Sequence, residues 1–209
     1  MSNNRKGKSG GQSLPEADLE PSGRSWASQY RTLNTLQDLR QPFRGYVEAF
    51  VGALRAAGAK VAVNATYRDP KRAYLMHWSW KIARNRVKPE DVPAMDGVAI
   101  SWAHYDKDEK FLREQSIAAA RDMVSAFQME RLGVPPSLKS RHVFRSGIDM
   151  SIRWTGDLTI PDAYGHIVRI RTFPRTGMNA QLHRVGASYG VVKYNRSGRD
   201  DPHWSDTGA

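Results

Sequence analysis

At 209 residues the chain is long enough for one domain with a substantial core and too short for two ordinary domains plus linkers. Its 32 Lys and Arg outweigh 21 Asp and Glu, and the formal charge of +11 favours a polyanionic partner: nucleic acid, a phospholipid surface or an anionic cell envelope. Cysteine is absent, which excludes disulfides, thiol catalysis and thiolate-rich structural zinc, and no uninterrupted apolar run reaches membrane-spanning length.

Residues 1–27 are rich in Gly, Ser, Asn and Lys with almost no large apolar side chains, so they are expected to form a flexible basic tail ahead of a single domain over 28–209. The first dozen residues carry basic groups without a following apolar stretch, which is not the pattern of a secretory signal peptide. The expectation is a protein made in the cytoplasm that leaves it, if at all, by another route. From Pro42 to Ala57, Phe43, Val47, Phe50 and Leu54 recur at helical spacing, and Gly58 is placed to stop the helix. Lys60 to Tyr67 alternates as a strand, and Asp69 then reads as an N-cap with Pro70 at the first helical position, leaving Arg68 at a strand-to-helix junction.

Val87 to Asp96 reads as loop, Gly97 to His104 as strand, and Lys107 to Leu132 as one long helix ending at Gly133. Thr155-Gly-Asp157 is a turn, Leu158 to Ile160 a short strand, and His166 to Arg171 a short strand or irregular segment. Met178 to Tyr189 is a helix, Gly190 to Tyr194 a strand, and Asn195 to Gly198 a turn leading to Asp200 and His203. Strands and helices mixed without strict alternation indicate an α+β fold, a central antiparallel sheet with helices packed on one side.

Chemistry concentrates between Ser140 and Trp154, where His142 and Asp149 stand seven positions apart across a turn. From Gly147 onward Ile148, Met150, Ile152 and Trp154 alternate with Asp149, Ser151 and Arg153, the period of a half-buried strand, so Asp149 points away from the core. A third ligand must come from elsewhere, and Asp200-Asp-Pro-His203-Trp204 offers His203. A His, Asp, His set leaves one position of a tetrahedral zinc open to water, the arrangement of a catalytic site. The bland reading makes His142 a loop histidine, Asp149 a solvated carboxylate and His203 a tail residue. His104 and Asp106 form a rival pair with no accompanying motif, while His77 and His183 read as packing or surface residues.

Ser140-x-His142, then Asp149, then Asp200-x-Pro-His203-Trp204 resembles the signature of the zinc D-alanyl-D-alanine carboxypeptidase family, which includes vancomycin-resistance D,D-peptidases and the L-alanyl-D-glutamate peptidases of phage endolysins. Tyr67-Arg68-Asp-Pro70 resembles that family's upstream Tyr-Arg-x-Pro element. The chain departs from the pattern with Arg145 where glycine is usual and Gly147 where alanine is usual; many members also have glutamate where Asp200 stands. The resemblance implies an α+β fold with zinc on the open face of the sheet, held by His142, Asp149 and His203. It implies Asp200 as the proton-handling acid, Arg68 as the group that binds a substrate carboxylate or the oxyanion, and Ser140 and Trp204 as weaker substrate contacts.

The activity so implied is hydrolysis of an amide bond in peptidoglycan stem peptides, as carboxypeptidase or endopeptidase, at the cell wall or periplasm after delivery by a lysis or injection apparatus. Peptidoglycan and the anionic envelope are then the partners. No zinc-finger, basic-zipper or RNA-recognition signature is present, so no stable nucleic-acid partner is expected. The alternative class is a non-catalytic, metal-containing module that binds a polyanion.

Overall fold

A computed structural model describes residues 19–194 and 202–209. The fold is α+β, and the described residues form four α-helices: α1 (Phe43–Ala56), α2 (Pro70–Ala83), α3 (Arg113–Ala126) and α4 (Ala180–Ser188). Its strands are β1 (Glu20–Pro21), β2 (Thr32–Leu33), β3 (Lys60–Ala65), β4 (Tyr67–Arg68), β5 (Ile100–Ser101), β6 (Gly147–Arg153), β7 (Leu158–Pro161), β8 (Ile167–Ile170), β9 (Val192–Lys193) and β10 (His203–Ser205). The expected single central sheet is replaced by several: an antiparallel four-stranded sheet in the order β3-β6-β10-β9, and the separate pairs β1-β5, β2-β4 and β7-β8. No helix among the described residues is long and apolar enough to cross a membrane.

The described residues fall into two compact units, one of residues 28–73, 131–194 and 202–209, the other of residues 19–27 and 74–130. The first unit holds the four-stranded sheet. On one face of that sheet, Ile148, Met150 and Ile152 of β6 and Trp204 of β10 join Phe43, Val47, Phe50 and Leu54 of α1 and Leu182 and Val185 of α4 in one buried cluster. Each such side chain stabilises the unit by roughly 1.5–3 kcal/mol through removal from water. The α1 stripe thus buries the residues its spacing singled out, and the helix ends where Gly58 takes φ 85 and donates to the Arg55 carbonyl. Asn179 is the buried N-cap of α4: its side-chain oxygen accepts from Gln181 and Leu182 N–H, while its amide donates to the carbonyls of Thr172 and Pro174.

The opposite sheet face carries Lys60, Ala62 and Asn64 of β3 and Ser151 and Arg153 of β6, all exposed. This is the face to which Asp149 belongs, because successive residues of a strand point to opposite sides. A bulge between Val63 and Ala65 sets two β3 residues against one on β6, so that Ala65 stands opposite Asp149.

In the other unit residues 19–27, expected as part of a flexible tail, are held in place: β1 pairs in parallel with β5, and Trp26 is buried with its indole N–H donating to the Pro21 carbonyl. A tryptophan supplies enough apolar area to offset the ordering of a short segment that composition alone marks as loose. The long helix expected from Lys107 begins only at Arg113. Before it, the Asp106 carboxylate accepts from the N–H groups of Asp108 and Lys110 and closes a turn; at the far end Gln128 enters the left-handed region at φ 58. The expected strand from Gly97 to His104 shortens to Ile100–Ser101.

Candidate metal centre

His142, Asp149 and His203 converge on one point. His142 Nε2 lies 3.0 Å from Asp149 Oδ1, His203 Nδ1 lies 3.0 Å from the same oxygen, and the two ring nitrogens are 3.0 Å apart. The three come from different pieces of backbone: a turn before β6, the third residue of β6, and the first residue of β10. Antiparallel pairing sets His203 directly opposite Asp149, so the two side chains leave the sheet on the same side. Both histidines are buried, and the Asp149 side chain is 15 % exposed.

The outer nitrogen of each ring identifies which inner atom is free to bind. His142 Nδ1 faces the Thr66 carbonyl at 3.2 Å and His203 Nε2 faces the Ala209 carbonyl at 3.4 Å, so each of these nitrogens carries the proton and donates. In the neutral rings His142 Nε2 and His203 Nδ1 therefore present lone pairs to each other and to the Asp149 carboxylate. Three acceptors facing one another in a buried site repel unless a cation or a proton sits between them. When a proton fills that place and the rings are cationic, their hydrogen bonds and charge outweigh burial, which alone would raise the Asp149 carboxyl, and hold the group well below the usual carboxylate range.

The donor set is also of the right size. Ligands at about 2.0 Å around a tetrahedral ion stand about 3.3 Å apart, so the observed triangle needs an expansion of only about 0.3 Å per edge. These three side chains can hold a metal ion, and they form the group of that kind among the described residues.

The surroundings lock the ligand-bearing turn. Arg141 reaches Asp206 through Nε at 2.8 Å and through Nη2, and the Asp206 N–H donates to the Ser146 carbonyl, tying the turn to the residue after β10. Arg145 occupies the left-handed region at φ 57, the conformation in which glycine is least restricted. Its guanidinium lies 4.0 Å from the centre of the Tyr67 ring and donates to the Asp38 carbonyl, contacts that offset the backbone cost. Gly147 is set by space: a Cβ there would meet His203 Cε1 at 2.9 Å and the His142 nitrogen at 3.0 Å. Arg145 thus closes the turn that carries His142, its N–H donating to the His142 carbonyl, and Gly147 leaves room for both histidines.

No family model, curated protein or solved structure matches the chain. The geometry is what bears on function.

Arg68 is bound to the same turn, its backbone N–H donating to the His142 carbonyl, and its charge, after burial, contributes to holding the Arg72 guanidinium below its ordinary value. Ser140 serves the turn: its hydroxyl accepts from the His142 N–H at 3.4 Å. Trp204 belongs to the buried core. It alternates with His203 on β10, faces the opposite side of the sheet and is fully buried against Phe50. Asp200, the expected proton-handling acid, and its neighbour Asp201 lie outside the described residues, as does the turn expected at Asn195 to Gly198.

The rival pair separates by role, His104 Nε2 sharing a hydrogen bond with Ser22 and Asp106 closing its turn. His183 is structural, donating to the Gly177 carbonyl with its ring edge on Trp204. The supporting acceptors Thr66 and Ala209, and the Arg141–Asp206 pair, were not legible beforehand; backbone carbonyls have no sequence signal, and the ion pair spans 65 positions.

Proposed function

We propose that this chain is a zinc-dependent peptidase that cleaves an amide bond in peptidoglycan stem peptides. The observation that carries the reading is the convergence of two imidazole lone pairs and one carboxylate oxygen, each 3.0 Å from the other two, with carbonyls behind both rings fixing their tautomers. A two-nitrogen, one-oxygen set with a free position suits catalytic zinc, which supplies a water of lowered pKa and polarises the scissile carbonyl.

Asp200, three residues before His203 in the sequence, takes the proton of the attacking water and returns it to the leaving amine. Arg68 holds the substrate carboxylate or the developing oxyanion, work suited to a fixed charge with forked donors. The peptidoglycan substrate follows from the resemblance of the four sequence elements, and the formal charge of +11 agrees with action on an anionic envelope.

The test is to incubate the zinc-loaded protein with purified sacculi and profile the released muropeptides. New peptide ends, together with zinc near one per chain, are expected. Tight polyanion binding with intact stem peptides would establish the non-catalytic module instead.

A further inference from the structure

The exposed sheet face beside the triad carries two adjoining cavities of about 390 and 700 Å³ that share Ser151 and Arg153. The smaller includes Met150 and Pro202, the sequence neighbours of Asp149 and His203, so it borders the ligand cluster. The larger continues along β3 to Lys60. Together they form a trough whose floor is Ser151 and Arg153, on the face of β6 that also carries Asp149, flanked by Asn64 and Lys60 of β3.

The trough is polar near the triad and cationic at its far end. Asn64 donates to the Ser151 hydroxyl at 2.9 Å, and Lys60 stands opposite Arg153 in the strand register. Neither Lys60 nor Arg153 has a carboxylate partner among the described residues, and no acidic side chain lines either cavity. Trp154 borders the larger cavity, while its side chain belongs to the buried core on the other side of the sheet. Lys60 and Arg153, exposed side by side with no carboxylate partner among the described residues, make a receptor for an anion.

We propose that this trough binds an extended stretch of the peptide substrate, and that Arg153 and Lys60 recognise a carboxylate about four residues from the bond that is cut. Four residues of strand separate Asp149 from Arg153, about 13 Å at 3.3 Å per residue, and an extended peptide covers the same distance in about four residues. This inference rests on the peptidase reading and adds to it a determinant of substrate choice remote from the reacting atoms. Ser151 and Asn64 line the path between them and offer hydroxyl and amide groups to the peptide backbone.

The experiment uses stem peptides prepared in two forms, with free side carboxylates and with the same carboxylates amidated. Equilibrium binding and cleavage of both are measured with the zinc-loaded chain and with a Lys60→Gln, Arg153→Gln double variant, both residues being exposed and outside the ligand cluster. The wild-type chain should favour the free carboxylate by about tenfold, and the double variant should lose that preference while keeping its zinc and its rate on the amidated form. Equal affinity for the two forms in the wild type, or a preference that survives the substitutions, overturns the proposal. So does failure to bind either form. Charge-dependent binding without cleavage upholds the trough and sinks the peptidase reading; cleavage without charge preference does the reverse.

Discussion

Replacing Gly147 by alanine tests the metal centre without touching a ligand. The added methyl would lie 2.9 Å from His203 Cε1, 3.0 Å from Arg141 Cβ and 3.0 Å from the His142 backbone nitrogen. Ordinary contact between carbon atoms is about 3.5–4.0 Å, so the His203 ring must retreat by about 0.6 Å or the turn must open by a similar amount. Gly147 is not among the positive-φ residues, and the effect is therefore steric rather than a backbone preference. A metal site tolerates displacements of about 0.2 Å, and misplacing the support of a ligand typically costs 10–100-fold in affinity. Crowding in a packed region adds about 1–3 kcal/mol of destabilisation.

Zinc affinity measured by competition with a chromophoric chelator should thus fall at least about tenfold in Gly147→Ala, with a lowered midpoint of chemical denaturation. Native affinity and native stability together would show that His203 and the 141–147 turn do not pack as described.

Other substitutions separate the roles. In the chelator-stripped protein, zinc at a hundredfold excess over its Kd should add about 2.7 kcal/mol, or roughly 5–11 °C in Tm for a chain of this size. Asp149→Ala should abolish most of that shift, and an equal shift in the variant would remove Asp149 from the site. Asp200→Asn should keep zinc while losing on the order of a hundredfold in turnover, and Asp201→Asn should stay near wild type; loss of zinc on changing Asp200 would make it a ligand. Trp204→Ala should cost about 3–5 kcal/mol in denaturation, as expected of a core aromatic, whereas native stability with weakened peptide binding would return Trp204 to the substrate site.

Burial holds the His183 imidazole below its ordinary value, with the charge of Lys193 acting in the same direction and the hydrogen bond to Gly177 opposing. The unfolded chain, with a histidine pKa of about 6.5, then takes up a proton before the folded one, so stability falls as the pH drops through that value and levels once both states are protonated. His183→Gln should flatten this slope between about pH 7.5 and 5.5; an unchanged slope would assign the dependence elsewhere.

The peptide pattern alone determined which groups were available and which way several of them point. Alternation from Gly147 put Asp149 on the face away from Ile148 and Met150, and helical spacing placed Phe43, Val47, Phe50 and Leu54 in the core, because side-chain direction follows from local backbone geometry. Alternation would equally have separated His203 from Trp204, had the short β10 been legible as a strand; three residues beside an Asp-Pro step carry too little periodic signal. The site itself was decided by tertiary structure. Strand register sets His203 against Asp149 across 54 positions, and the Thr66 carbonyl, 76 residues from His142, selects the nitrogen that faces the metal point. Register and tautomer depend on which distant backbone groups are paired, and backbone groups are the same in every residue, so no pattern of side chains specifies them in advance.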